Sequence, residues 1–494
     1  MDYQQLLILI SFIVFFILRK LNQPQNSKKL PPGPNPLPII GNILEFGKTP
    51  HKTLTKLSKI YGPIMTLKLG RITTIVISSP QLAKQVLHEN AQIFSNRTVP
   101  HAACALDHQN FSVGWLPTSP LWKKLRKFCV TNLFSPKMLD STKIIRQKKL
   151  QDLLDYVKEK SNKGEVFNFG EAVFVTVLNT ISNILFSMDM AHYEKYHEFE
   201  NIIRGLSNVI GQPNIADFFP ILRPLDPQRL HAGTVNYWGK LCKIIEGIVE
   251  ERVSKNDSKV CNDVLDSLLN NIGEPSFDQF SHEEILHLLP DLFVAAIDST
   301  SNTIEWIMAE LLNNPDKLTK VRKELFETIG KNETIEESDI TKLPFLQAVV
   351  KETFRLHPPA PLFLPHKCDE FVNIFGFNVP KNAQVLVNVW AIGRDPTIWK
   401  NPNMFMPERF LECDINYKGN NFELIPFGAG KRICPGLPLA HRSVHLIVAS
   451  ILYNFELKLA DGLMPEHMNM EERSGLTLKR LQPLRVQATS IKHG

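Results

Sequence analysis

The chain has 494 residues, with 56 Lys and Arg against 50 Asp and Glu and a net charge of +6. Apolar residues make up 43% and charged residues 21%, with 34 Pro and 24 Gly, which excludes a collagen, a disordered chain and a multi-span membrane protein. So mild a positive charge gives no case for nucleic acid as a partner. The length suits one large domain able to bury a wide core. Seven cysteines, at 104, 129, 242, 261, 368, 413 and 434, are odd in number, widely spaced and free of any C-x-x-C. They make no disulfide framework and fit a reducing, cytosol-facing body.

The first element is an apolar run, Leu6 to Leu18. As a helix it reaches about 20 Å, short of a ~30 Å hydrocarbon core. Extension over residues 3–20, with Arg19 and Lys20 snorkelling, predicts a single-pass membrane anchor touching lipid. Basic residues follow the run and no small-residue cleavage site appears, so a cleaved signal is disfavoured and the remainder stays on the cytosolic side. A buried core helix is the other reading. Residues 21–42 include Pro31, Pro32, Pro34, Pro36 and Pro38, which forbid helix and predict a stiff hinge ahead of a catalytic body at 43–494.

The segments 64–70 and 73–79 are rich in β-branched residues and predict paired strands. Helical periodicity dominates from about 120 to 355. Short strands and Pro-rich turns follow over 360–410, and a last helix runs from Leu437 to Phe455. The fold class expected is therefore mainly α with small β-sheets. Residues 253–263 read as an exposed loop. Pro290 lies inside a helical pattern and predicts either a kink or a helix that starts near it.

The chemistry concentrates at PFGAGKRICPG, residues 426–436. Cys434 precedes the last helix, where the helix dipole and free backbone N–H groups favour a thiolate. Gly428, Gly430 and Gly436 permit tight turns and close approach to a flat group, and Arg432 adds a cation. An inert buried cysteine is the commoner fate of a lone Cys.

The pattern Phe427-x-x-Gly430-x-Arg432-x-Cys434-x-Gly436 resembles the haem-binding signature of cytochrome P450 enzymes at every fixed position. Four further stretches fall in the family's order. Trp122 and Arg126 resemble the helix that holds a haem propionate. Glu352-x-x-Arg355 and Arg409 resemble the family's Glu-Arg-Arg lock. Residues 295–300 resemble the oxygen-activating stretch, with Asp298 feeding protons from solvent, Ser299 in place of the usual Thr, Thr300 next to it, and Ala296 where Gly is usual. His366 stands where the family often has a propionate partner. The resemblance implies haem b ligated by Cys434, O2, and electrons from NADPH–cytochrome P450 reductase docked on a basic patch of Lys123, Lys124, Lys127 and Lys431.

Within the family, residues 379–402 and 422–440 resemble the geraniol 8-hydroxylase group of plant microsomal members, which implies an endoplasmic reticulum membrane enzyme. A monoterpene alcohol such as geraniol is the substrate implied, with a diterpene, fatty acid or phenolic as alternatives. A reductase-independent hydroperoxide rearrangement and a non-catalytic haem scaffold stay open. By family alignment, Phe111, Val113, Leu116, Val209, Ile210, Phe293, Val294, Ala296, Ala360, Leu362, Phe363 and Leu476 line the pocket. His101, Asn208 and Thr477 are candidate partners for a substrate hydroxyl.

Overall fold

A computed structural model describes residues 29–254, 263–270, 279–330 and 334–491, together with Gln4 and Ser11. The expected anchor over 3–20 and most of the loop expected at 253–263 lie outside the described residues. The fold is mainly helical. In chain order it comprises α1 (Pro50–Tyr61), β1 (Ile64–Leu69), β2 (Ile72–Ile77), β3 (Asn96–Arg97), α2 (Pro120–Phe128), α3 (Lys143–Lys163), β4 (Val166–Asn168), α4 (Phe169–Phe186), α5 (His197–Gly211), α6 (Leu230–Ser254), α7 (His282–Asn313), α8 (Pro315–Ile329), α9 (Pro344–Leu356), β5 (His366–Lys367), β6 (Gln384–Val387), α10 (Leu437–Asn454), β7 (Phe455–Leu459) and β8 (Arg485–Ser490), with shorter turns between.

Local chemistry explains the main boundaries. Ser119 caps α2 through the Trp122 amide at 3.1 Å, with Pro120 at the first helical position. Ser281 and Glu284 form a reciprocal capping box at the start of α7. That cap settles the Pro290 alternatives: the helix starts at His282 and carries Pro290 inside it. Helix α4 is mostly apolar and almost wholly buried, with the Thr176, Asn179, Thr180 and Ser182 side chains all hydrogen-bonded. Among the described residues it is the one helix long and apolar enough to cross a membrane, and it is packed inside the core against α7.

One sheet has the order β1–β2–β6–β5–β3. Strands β1 and β2 pair antiparallel, as their pattern predicts, while β2 and β6 pair parallel with Thr74 opposite Gln384. At the inner end Arg97 on β3 faces His366 on β5. A second sheet sets β8 between β4 and β7. The described part of the Pro-rich hinge docks on β1: the Thr66 amide donates to Pro32 O at 2.8 Å, and Gly41 bridges Leu69. Residues 32–41 thus lie against the catalytic body. The largest apolar core joins α2–α10, and a smaller one lies under the first sheet.

Candidate active site

The loop before α10 is pinned at several points. The Cys434 amide donates to Phe427 O at 2.9 Å, and the Gly428 amide to Ile425 O at 2.9 Å. Gly428 and Gly430 have φ of 73° and 63°, in the left-handed region that favours glycine. A Cβ on Gly430 would lie 2.0 Å from Leu87 O, so this glycine lets the loop touch the segment beneath β3. Gly436 differs from the expectation. Its φ of −80° suits any residue, and a Cβ there would sit 3.8 Å from Cys434 Sγ.

Cys434 is a free thiol at the N-terminus of α10. Burial pushes it up; the Gly436 and Leu437 amides and the Arg126 guanidinium oppose that by favouring the thiolate. The sulfur lines two adjoining cavities of about 860 and 1040 Å³, both of which also touch Ala295, Ser299, Thr300, Phe427 and Ala440. The slot therefore runs between α7 and the cysteine loop.

Three guanidiniums gather at this slot. Arg97 donates to Leu364 O at 2.8 Å, to His366 Nε2 at 3.0 Å and to Gly114 O at 3.3 Å. Arg432 donates to Ser95 O at 2.8 Å, to Val113 O at 3.2 Å and to Leu116 O. Burial and then Arg432 lower Arg97 to about 9, and burial and then Arg126 lower Arg432 to about 10. Among the described residues none of the three has a carboxylate within ion-pair distance. A ligating sulfur, an apolar slot and three cations without an anion fit a flat, dianionic, metal-bearing group, and haem has that chemistry.

His366 lines the slot with Arg97, Arg432 and Cys434. It is buried, its Nδ1–H donates to Phe94 O at 2.7 Å, and its Nε2 accepts from Arg97. Burial, and then Arg97, hold it well below the usual imidazole range, so it is neutral and orients Arg97. Arg97 itself escaped the sequence reading. The Trp122 N–H donates to Val113 O at 3.1 Å, and its ring face lies 4.4 Å from the Arg432 guanidinium. Lys124 leaves the expected basic patch, because it pairs with Glu284 at 2.6 Å.

Behind the loop, Arg355 makes a two-pronged pair with Glu352, both bonds 2.7 Å, and donates to Gly393 O and Pro402 O. Arg409 reaches Glu352 at 3.2 Å. Glu352 and Arg355 are completely buried, so every polar atom must be partnered for the network to hold.

On α7, Ser299 Oγ donates to Ala295 O at 2.8 Å, and both Ser299 and Thr300 line the slot. Asp298 faces elsewhere. It is 2% exposed, which corrects the expectation of a solvent-fed acid, and accepts hydrogen bonds from Thr477 Oγ1 at 2.5 Å and Asn302 Nδ2 at 3.3 Å.

A third cavity, of about 1050 Å³, meets the slot at Ala360, Phe363 and Leu364 and continues past Ile210, Leu362 and Leu476. Ala296 lines the slot itself. Other expected pocket residues lie elsewhere. Phe293 is fully buried among Phe186 and Phe199, because it points to the core side of α7. Phe111 stacks on His287 at 4.8 Å. Val113 and Leu116 serve through their carbonyls, and the Leu116 side chain is core. Val209 packs toward Gly233 on α6, and Val294 against the core. His101 stacks on His231 at 4.5 Å, and the Thr477 hydroxyl is taken by Asp298.

The family comparison agrees with this geometry: the sequence model described as Cytochrome P450 matches residues 31–484. The chain is a cytochrome P450. As such it is a monooxygenase whose haem is held by a cysteine thiolate. It is 48% identical to Cytochrome P450 76T24 of Catharanthus roseus, covering 96% of this chain and 95% of that one. It is 45% identical to Geraniol 8-hydroxylase of the same plant, over 99% and 100% of the two chains. Ferruginol synthase of Isodon rubescens is 41% identical over 97% and 98%.

Proposed function

We propose that this P450 hydroxylates a small hydrophobic plant metabolite, with a monoterpene alcohol such as geraniol as first choice. The apolar cavity that leads from Leu476 past Leu362 and Phe363 to the sulfur carries the reading. It would orient a greasy substrate by shape. Full-length similarity to Geraniol 8-hydroxylase supports the terpenol, and similarity to Ferruginol synthase supports a diterpene as second reading.

Cys434 would ligate the haem iron; Phe427, Gly430 and Gly436 would shape the loop around it. Arg97, Arg126 and Arg432 would hold the propionates, with His366 and Trp122 orienting two of them. When bound, the haem supplies O2 binding and insertion of one oxygen atom into a C–H bond. Ser299 Oγ and Thr300 Oγ1 would pass protons into the slot, and Asp298 would hold the next proton behind them. Glu352, Arg355 and Arg409 would keep the loop in place. The electrons would come from NADPH–cytochrome P450 reductase, and residues 3–20 would anchor the enzyme in the endoplasmic reticulum membrane, ahead of a Pro-rich hinge over 21–42 and a catalytic body over 43–494.

A spectral screen with terpenols, diterpenes, fatty acids and phenols tests the substrate. A low-to-high-spin shift with geraniol is expected; shifts with phenols alone would overturn the reading. Cys434→Ala should lose the carbon monoxide band of thiolate-bound haem and all reductase-dependent product.

A further inference from the structure

Thr477 lies in the C-terminal turn 474–478, far in sequence from α7. Its single hydroxyl proton goes to Asp298 Oδ2 at 2.5 Å. The same oxygen accepts from Asn302 Nδ2 at 3.1 Å, and Ser207 Oγ lies 3.4 Å away. The hydroxyl is therefore saturated and has no proton left for a substrate. Asp298 Oδ1 receives Asn302 from its own helix. Among the described residues, Thr477 makes the side-chain hydrogen bond that reaches this buried carboxylate from outside α7.

The turn that carries Thr477 is itself clamped. The Leu476 amide donates to Ser207 O on α5 at 2.9 Å, and the Leu478 amide to Pro359 O at 2.8 Å. A Cβ on Gly211 would lie 1.9 Å from the Leu476 nitrogen, so α5 and the turn meet backbone to backbone. Leu476 projects from this turn into the entrance cavity beside Ile210 and Gly211. The side chain that lines the substrate's route and the hydroxyl that fixes the acid sit on adjacent residues, Leu476 and Thr477.

We propose that Thr477 is the positioning residue for Asp298, tying the carboxylate to the cavity-lining turn so that occupancy against Leu476 sets how the acid is aimed. The inference rests on the monooxygenase reading, in which Asp298 holds a proton behind Ser299. Without the Thr477 hydroxyl, a buried carboxylate loses its strongest donor and turns toward what remains, Asn302 and the Lys479 charge nearby.

The test uses the full-length holoenzyme with reductase and whichever screened compound gives the wild type its largest spin-state shift. Thr477→Val keeps the shape and removes the proton. Product per NADPH is expected to fall about tenfold, with hydrogen peroxide making up the difference, since a misaimed proton donor loses part of its effect. The carbon monoxide band and the spin-state shift should not change. Thr477→Ser should restore coupling, and Thr477→Val with Asp298→Asn should be no worse than Asp298→Asn alone. Independently of turnover, ligand should slow amide exchange at Leu476 and Leu478 in the wild type and do so less in Asp298→Ala. Should the fold refuse valine, Thr477→Ala against Thr477→Ser reads the same contrast. Wild-type coupling without the hydroxyl, failure of serine to rescue, or additive losses would each overturn the proposal. Loss of the carbon monoxide band from the wild type would instead overturn the haem reading.

Discussion

The cysteine side of the molecule and the substrate entrance are built on opposite principles. Around Cys434, position is fixed by polar groups with no slack: Glu352 and Arg355 are completely buried and their charges are met atom by atom. The entrance presents mainly apolar side chains on a backbone that is clamped behind them. Phe46, Leu69, Ile72, Ile210, Leu362 and Leu476 wall it. A network of buried charges fails as a whole when one partner goes, whereas an apolar wall tolerates exchange of one shape for another. The chemistry is thus over-determined, and the choice of substrate is left adjustable.

The strongest way to break this contrast is Glu352→Ala. It leaves Arg355 buried and uncompensated, at a cost of about 3–5 kcal/mol. No haem-replete protein should be recovered, as read by the ratio of Soret to protein absorbance; normal haem content would show that the network is dispensable. Arg97→Leu is expected to be milder. It removes one of three cations and leaves His366 Nε2 unpaired, so haem transfer to an apoglobin acceptor should quicken about tenfold while the protein still folds. An unchanged transfer rate would free Arg97 of any part in cofactor retention.

The smallest effect expected is at the entrance. Burial pushes Asp217 up to about 6 while its Oδ1 accepts the His101 amide at 2.6 Å. A carboxyl whose folded pKa lies above its ordinary ~4 is unfavourable when ionised, so the fold loses stability as pH rises from about 4 to about 6. Asp217→Asn keeps the acceptor and removes the charge. Its melting temperature should exceed that of the wild type by about 1–2 °C at pH 8, and the gain should shrink toward nothing as pH falls to about 4. An equal gain at both pH values would place the effect outside titration.

The same contrast decides what can be read from sequence. The strands at 64–77, the last helix and the cysteine loop depend on neighbours close in the chain, and their patterns are legible. The Glu352–Arg355 pair is a local spacing too. Arg97 carries no such signal: it meets Arg432 and His366 only because β3 pairs with β5, a register no short motif encodes. Phe293 is expected in the pocket by family alignment, which carries over a position along α7 but not the neighbours it meets: here it packs on Phe186 and Phe199. The family resemblance implies a solvent-fed Asp298, whereas Thr477, arriving from the far end of the chain, bonds a carboxylate that is buried.

The contact between Gly211 and the 474–476 turn has a consequence for anyone recombining relatives of this enzyme. Because the two backbones touch with no side chain between them, a donor segment carrying a β-carbon there cannot be accommodated by trimming its partner. Chimeras that swap the end of α5 without its matching C-terminal turn should therefore misassemble, and those that move both together should inherit the donor's preferences.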